Sequence, residues 1–114
     1  MLPERDYGYL DDIRLYAQRA LKHTEGWTLE RLVASPAMQD AVIRCLIVIG
    51  EASGHLTKAA HAALPEFDWL AMTGMRHVLV HAYGRIDLEK VWHVVVDELP
   101  RLAARLETYL GGTG

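Results

Sequence analysis

Apolar residues recur at three- and four-residue steps along almost the whole chain, and this spacing restricts the possible folds more than any other feature. Such spacing puts apolar side chains on one face of a helix. No stretch clearly alternates polar and apolar residues, and no Asn-Gly pair signals a tight hairpin. The sequence therefore predicts an all-α protein, a bundle of four or five helices.

Residues that typically start or end helices divide the first half of the chain into separate predicted helices. A helix is predicted from about Glu4 to His23, ended by Gly26, and a short helical turn is predicted after Thr28. Ser35 and Pro36 begin a long helix that is expected to run to about Ala63, because Ser caps helices and Pro fits their first turn. Gly50 falls inside this helix, where we expect it to allow close approach of a neighbouring helix.

Two further helices are predicted in the second half. Asp68 can cap a helix from Trp69 to about Tyr83, with Gly84 as a left-handed stop. Asp87 can cap the last helix, which Pro100 should kink because proline lacks an N–H. The last four residues, 111–114, are expected to form a flexible tail.

Composition limits the class of protein. The 114 residues form one expected domain, 1–114, and 51% of them are hydrophobic, enough for a buried core. The net charge of −3 gives no support for nonspecific nucleic-acid binding by the whole surface. The lone cysteine, Cys45, excludes an internal disulfide and is expected to be buried. No secretion signal or membrane span is recognised, so we expect a cytoplasmic protein.

One segment concentrates polar chemistry within an apolar pattern, between Gly74 and Gly84. It contains Arg76, His77, His81 and Tyr83, and Arg85 follows. A permanent cation, an imidazole that titrates near neutral pH and a phenol can together handle a phosphodiester. The segment is therefore the candidate site, and Arg76 and His81 are its candidate reactive pair. A solvated or ion-paired arginine and a packed histidine are the structural alternatives.

The spacing of the pair raises a geometric question. Arg76 and His81 are five residues apart, which puts them about 140° apart around a straight helix. They can converge if the long arginine reaches round the helix, if the helix is deformed near Gly74 or Gly84, or if a second chain completes the site. The last alternative predicts a homodimer with a cleft at its interface.

Two other interpretations concern neighbouring residues. His77 and His81 have the four-residue spacing of a two-histidine metal pair, but Asp68 and Asp87 are expected to lie off that face. No metal is therefore predicted in the site, and a metal-dependent enzyme is kept as the minor alternative. Glu51 on the long helix is expected to form a surface or interhelical ion pair.

The segment Arg76-x4-His81-x-Tyr83 resembles the R-x4-H-x-Y signature of the HEPN superfamily, in its HepT toxin-like branch. The resemblance extends over nearly the whole chain. The segments that carry it are Leu10-Asp-Asp-Ile13, Asp40–Arg44, Ile49-Gly-Glu-Ala52, Asp68-Trp69, Gly74-Met-Arg76, Asp87, Val91-Trp92 and Leu99-Pro100. Two positions differ from the common pattern, since His77 and Cys45 each replace an asparagine.

The resemblance implies a homodimeric helical toxin that cleaves RNA without a metal or other cofactor. Arg76 and His81 would be the catalytic pair, and His77 would bear on substrate positioning. The implied partner is MntA, a nucleotidyltransferase antitoxin that silences the toxin by transferring AMP to Tyr83. The alternative is a non-catalytic subunit that binds a nucleotide or RNA, or docks a nucleotidyltransferase.

Overall fold

The computed structural model describes residues 1–111 and, at Tyr83, the backbone alone; the predicted tail beyond Gly111 lies outside the described residues. Helices account for most of the described chain, and it contains no strand, as the apolar spacing predicts. The helices are α1 (Glu4–His23), α2 (Leu29–Val33), α3 (Pro36–His55), α4 (Lys58–Ala63), α5 (Trp69–His81), α6 (Leu88–His93) and α7 (Leu99–Tyr109).

Local signals define most helix ends as expected. The side chains of Thr28, Ser35, Asp68 and Asp87 each accept a hydrogen bond from a backbone N–H in the first turn of the following helix. Gly26 has a φ of 76°, the left-handed conformation expected just after α1. The predicted limits of the first helix, Glu4–His23, are confirmed.

The predicted C-terminal end of the long helix, at about Ala63, is wrong. It stops at His55, and a new helix, α4, starts at Lys58 with Thr57 as its cap. The cause is non-local: Asp6 of α1 is fully buried and accepts hydrogen bonds from the N–H (3.0 Å) and hydroxyl (2.6 Å) of Thr57. This clamp holds the chain in an extended conformation at Leu56, where the helix would otherwise continue.

The last two predicted helices also end differently in detail. The fourth helix ends at His81, and Tyr83–Arg85 form a 3₁₀ turn instead of helix. Gly84 does not adopt a positive φ, so its predicted role as a left-handed stop is wrong. The disruption expected before Pro100 appears as a π-helical turn over Val94–Glu98, which joins α6 to α7.

The core lies between α1, α3 and α7, and α5 packs on α3. Buried apolar residues from these helices form one cluster, which includes Cys45 as expected. The close approach predicted at Gly50 is confirmed: a Cβ there would overlap the Cβ of Arg76 and lie 2.8 Å from the Met72 carbonyl oxygen. The candidate site is therefore on a helix that is supported mainly from one side.

Candidate functional site

Arg76 lies at the contact between α5 and α3. The absence of a side chain at Gly50 lets the arginine stem pass close to the α3 backbone. The guanidinium Nε then lies 2.9 Å from Oε1 of Glu51. The interhelical ion pair expected for Glu51 is confirmed, and its partner is the candidate reactive arginine.

This ion pair holds one edge of the guanidinium. Nε is buried and makes no aligned hydrogen bond, so its contact with Glu51 is electrostatic in character. The Arg76 side chain is nevertheless 34% exposed, and an anion can reach it from solvent. An arginine fixed in this way loses little conformational freedom when it binds a phosphate.

Glu51 also contacts a histidine. Its Oε2 lies 3.0 Å from Nε2 of His55, one turn further along α3. The His55 ring in turn stacks on Tyr9 of α1, with ring centroids 5.0 Å apart. The carboxylate is thus oriented from two sides, and sequence reasoning identified neither His55 nor Tyr9 as a neighbour of the site.

His81 lies in the last turn of α5 and is exposed, as is His77 one turn before it. Their rings are in contact, with centroids 4.5 Å apart. In residues 1–111 no hydrogen bond or ion pair joins His81 to Arg76, which pairs with Glu51 instead. Within one chain the two candidate residues therefore make no direct polar contact in the described part of the structure, which is consistent with the 140° angle between their positions.

His81 shares a shallow depression with Ala82, Gly84 and Arg85, of about 540 Å³. The structure thus brings Arg85, the arginine that follows the candidate segment, beside the histidine. Tyr83 is in the same turn, but its side chain lies outside the described part of the structure. An imidazole and an arginine at one depression can accept a proton and hold a phosphate oxygen.

A groove separates α5 from α6 and the π-helical turn, and sequence reasoning did not predict it. It has a volume of about 790 Å³, and a smaller cavity of about 280 Å³ continues it towards the core. Met75 and Val94 line both spaces, and the larger one carries charges of both signs, from Arg85 and Lys90 and from Asp87 and Glu89. The groove lies on the face of α5 that α3 leaves uncovered.

Two classes of feature are absent from the described chain. Residues 1–111 contain no group of three or more His, Cys, Asp or Glu side chains that could hold a metal ion together. Within the same residues, no helix has both the length and the apolar character needed to cross a bilayer.

A family model described as Ribonuclease HepT-like matches residues 13–109, a range that contains all of the candidate site residues. The chain belongs to this family. The resemblance to the HepT branch of the HEPN superfamily is thereby confirmed, and the all-α bundle agrees with it.

Similar proteins extend over nearly the same length. "Probable ribonuclease HepT" of Thermococcus cleftensis is 33% identical over 99 residues, which cover 87% of this chain and 90% of that protein. "Putative RNase MJ0125" of Methanocaldococcus jannaschii is 33% identical over 107 residues, covering 93% of this chain and 92% of that protein. "Putative RNase TTE0752" of Caldanaerobacter subterraneus is 28% identical over 102 residues, covering 90% and 91%. No solved structure matches the chain significantly.

Proposed function

We propose that this HepT-like chain is a metal-independent endoribonuclease, the toxin of a toxin–antitoxin pair, acting on RNA in the cytoplasm. One observation carries the proposal: Arg76 is held in place by Glu51 and its side chain is still partly exposed, so an anion can bind it. The exposed His81 follows five residues later in the chain. Relatives of similar length that are named as ribonucleases support the same activity.

The proposed reaction uses the ribose 2′-OH as its nucleophile. His81 accepts the 2′-OH proton, the 2′-oxygen forms a bond to phosphorus, and the bond to the 5′-oxygen breaks. The leaving 5′-oxygen takes a proton from water, which leaves a cyclic phosphate and a 5′-OH, and His81 later returns its proton to solvent. Arg76 binds the non-bridging oxygens and stabilises their growing negative charge. The need for a 2′-OH makes RNA the substrate and excludes DNA.

We also propose that the active form is a homodimer in which Arg76 of one copy works with His81 of the other. Arg76 pairs with Glu51 and makes no hydrogen bond or ion pair with His81 in the described chain, so a second copy offers a way to bring the two residues together. The outer side of α5 also exposes Leu70 (83%) and Val78 (49%), large apolar side chains that a second copy would cover.

Mixing two inactive variants tests this arrangement. Arg76→Ala and His81→Ala should each abolish cleavage of a single-stranded RNA, whereas His23→Ala, which changes an exposed histidine at the end of α1, should not. After the two inactive variants are unfolded and refolded together, shared sites would restore about a quarter of wild-type activity, because half of the dimers carry one intact site.

The result of mixing separates the possible arrangements. No recovery, with mixed dimers shown to form, would place both residues in the same copy. Full cleavage by both single variants would remove the catalytic assignment. Complete loss of wild-type activity in EDTA would contradict the metal-independent reaction, and RNA binding without any cleavage would favour the non-catalytic alternative.

Regulation is proposed to act at Tyr83, through AMP transferred by an MntA-like nucleotidyltransferase antitoxin. The 3₁₀ turn puts Tyr83 next to Gly84 and Arg85, which line the depression at His81. AMP there would add bulk and negative charge at the place where the RNA phosphate must bind. Mass spectrometry after co-expression should show AMP units on the wild type and none on Tyr83→Phe; an unmodified wild type would refute this regulation.

A further inference from the structure

We propose that His77 and His81 together bind a divalent transition-metal ion such as Zn²⁺, and that the bound ion inhibits the enzyme. The inhibitory part rests on the proposed ribonuclease function, whereas the binding part does not. Both side chains are exposed, they are one helical turn apart on α5, and their rings are in contact. Neutral imidazole is the commonest protein ligand for such ions.

The ring separation agrees with shared coordination. A zinc–nitrogen bond is about 2.0–2.1 Å long, so a bound ion lies about 3.2 Å from the centre of each ring. Two rings that meet at one ion at about 90–109° then have centroids about 4.5–5.2 Å apart. The observed separation of 4.5 Å is at the lower end of this range. Helix α5 thus holds the two rings at a distance that shared coordination allows.

The site would be open, because the described chain brings no third such ligand to it. Water would complete the coordination, as it does in zinc sites with vacant positions. Affinity should follow the usual order for nitrogen ligands, with Cu²⁺ bound more tightly than Ni²⁺ or Zn²⁺. Mg²⁺, which prefers oxygen ligands, should not bind there. An open site of this kind releases its ion to a chelator, so inhibition should be reversible.

The other exposed helix histidines near possible ligands differ from this pair. His55 contacts Glu51 at 3.0 Å and His93 contacts Asp97 at 2.6 Å, so each offers one imidazole already engaged with a carboxylate. His77 and His81 are the pair in which two imidazoles approach each other. His93→Ala is therefore a suitable control for metal binding by the α5 pair.

Inhibition follows from the lone pair that the metal occupies. An imidazole nitrogen bound to a metal ion cannot accept the proton of the 2′-OH, which is the role proposed for His81. The ion also fixes the ring beside His77 and hinders its movement towards RNA. Metal binding and RNA cleavage would therefore compete for the same side chain.

Direct titration of the full chain with ZnCl₂, by calorimetry and without RNA, tests the binding. The wild type and His93→Ala should bind Zn²⁺ with equal affinity, and His77→Ala and His81→Ala should each bind at least about tenfold more weakly, since each loses one of two ligands. Helical circular dichroism of each variant verifies its folding. Equal affinity in the wild type and His77→Ala, or no binding by the wild type, would overturn the proposal.

Cleavage assays then test inhibition separately. Zn²⁺ at a saturating concentration should stop RNA cleavage by the wild type, and EDTA should restore it. In His77→Ala, the ratio of the rates with and without Zn²⁺ should stay near one, whatever the basal rate. Cleavage that persists in the zinc-saturated wild type would refute inhibition. Zinc binding in a protein that never cuts RNA would instead retain the metal site and refute the ribonuclease function.

Discussion

Gly50→Ala is the sharpest test of how α3 supports the candidate site. The added Cβ would overlap the Cβ of Arg76 and lie 2.8 Å from the Met72 carbonyl oxygen. That oxygen belongs to the backbone of α5, so relief requires α5 to move away from α3. Overpacking of this kind costs about 1–3 kcal/mol, and the upper end applies where backbone must shift.

Alanine also has a better helix propensity than glycine, by about 1 kcal/mol, which offsets part of this cost. We therefore expect Gly50→Ala to lower the free energy of unfolding by about 2 kcal/mol. Gly8→Ala is the matched control, because Gly8 is inside α1 with no atom within 4 Å of the added Cβ. It should raise the free energy of unfolding by up to about 1 kcal/mol.

Urea unfolding followed by circular dichroism measures both variants under the same conditions. The expected gap between them is about 3 kcal/mol. RNA cleavage should also fall in Gly50→Ala alone, because displacement of α5 separates Arg76 from Glu51. If Gly50→Ala is as stable as Gly8→Ala, the close helix contact described here is wrong, and the support it gives to Arg76 must be abandoned.

Three further predictions concern residues away from the site. Burial raises the pKa of the Cys45 thiol, so iodoacetamide should label it slowly in the native protein at pH 8 and rapidly in urea; fast native labelling would contradict its burial. A hydrogen bond from the backbone N–H of Glu66 to its own carboxylate, with help from Arg105, lowers the pKa of Glu66 from its ordinary value, so Glu66→Gln should be less stable than the wild type at pH 7. That difference should disappear in urea titrations as the pH falls through the lowered pKa, because stability from a depressed carboxyl pKa is lost on protonation. Asp6→Asn should lower the free energy of unfolding by about 2–3 kcal/mol, because an amide has one acceptor oxygen and cannot accept hydrogen bonds from both the N–H and the hydroxyl of Thr57 in the same geometry. Equal urea midpoints for Asp6→Asn and the wild type would contradict this.

The features that the sequence predicted well depend on local chemistry. Helix α1, the caps at Ser35 and Asp87, and the turn at Gly26 all follow from residues within one helical turn of each boundary. The close helix contact at Gly50 could be predicted in the same way, since a glycine inside a strongly apolar helix suggests a close neighbour. That Arg76 is this neighbour could not be predicted, because it is 26 positions away in the chain.

The features that the sequence did not predict depend on distant contacts. The break after His55 depends on the hydrogen bonds between Asp6 and Thr57, which are 51 residues apart in the chain. In the sequence Asp6 looks like an ordinary acidic residue near the start of a helix. Glu51 was identified as an ion-pair residue, but Arg76 as its partner required the packing of α3 on α5. The groove along α5 results from the arrangement of three helical segments, which apolar spacing within each segment cannot specify.

The π-helical turn at Val94–Glu98 has a consequence for how this protein can diverge. A π turn holds one residue more than an α-helix of the same rise, so it resets the angular phase between α6 and α7. The buried side of α7 packs on α1, while residues of α6 such as Lys90 line the groove. Substitutions on α6 can therefore reshape the groove wall while the hydrophobic interior of the bundle stays intact.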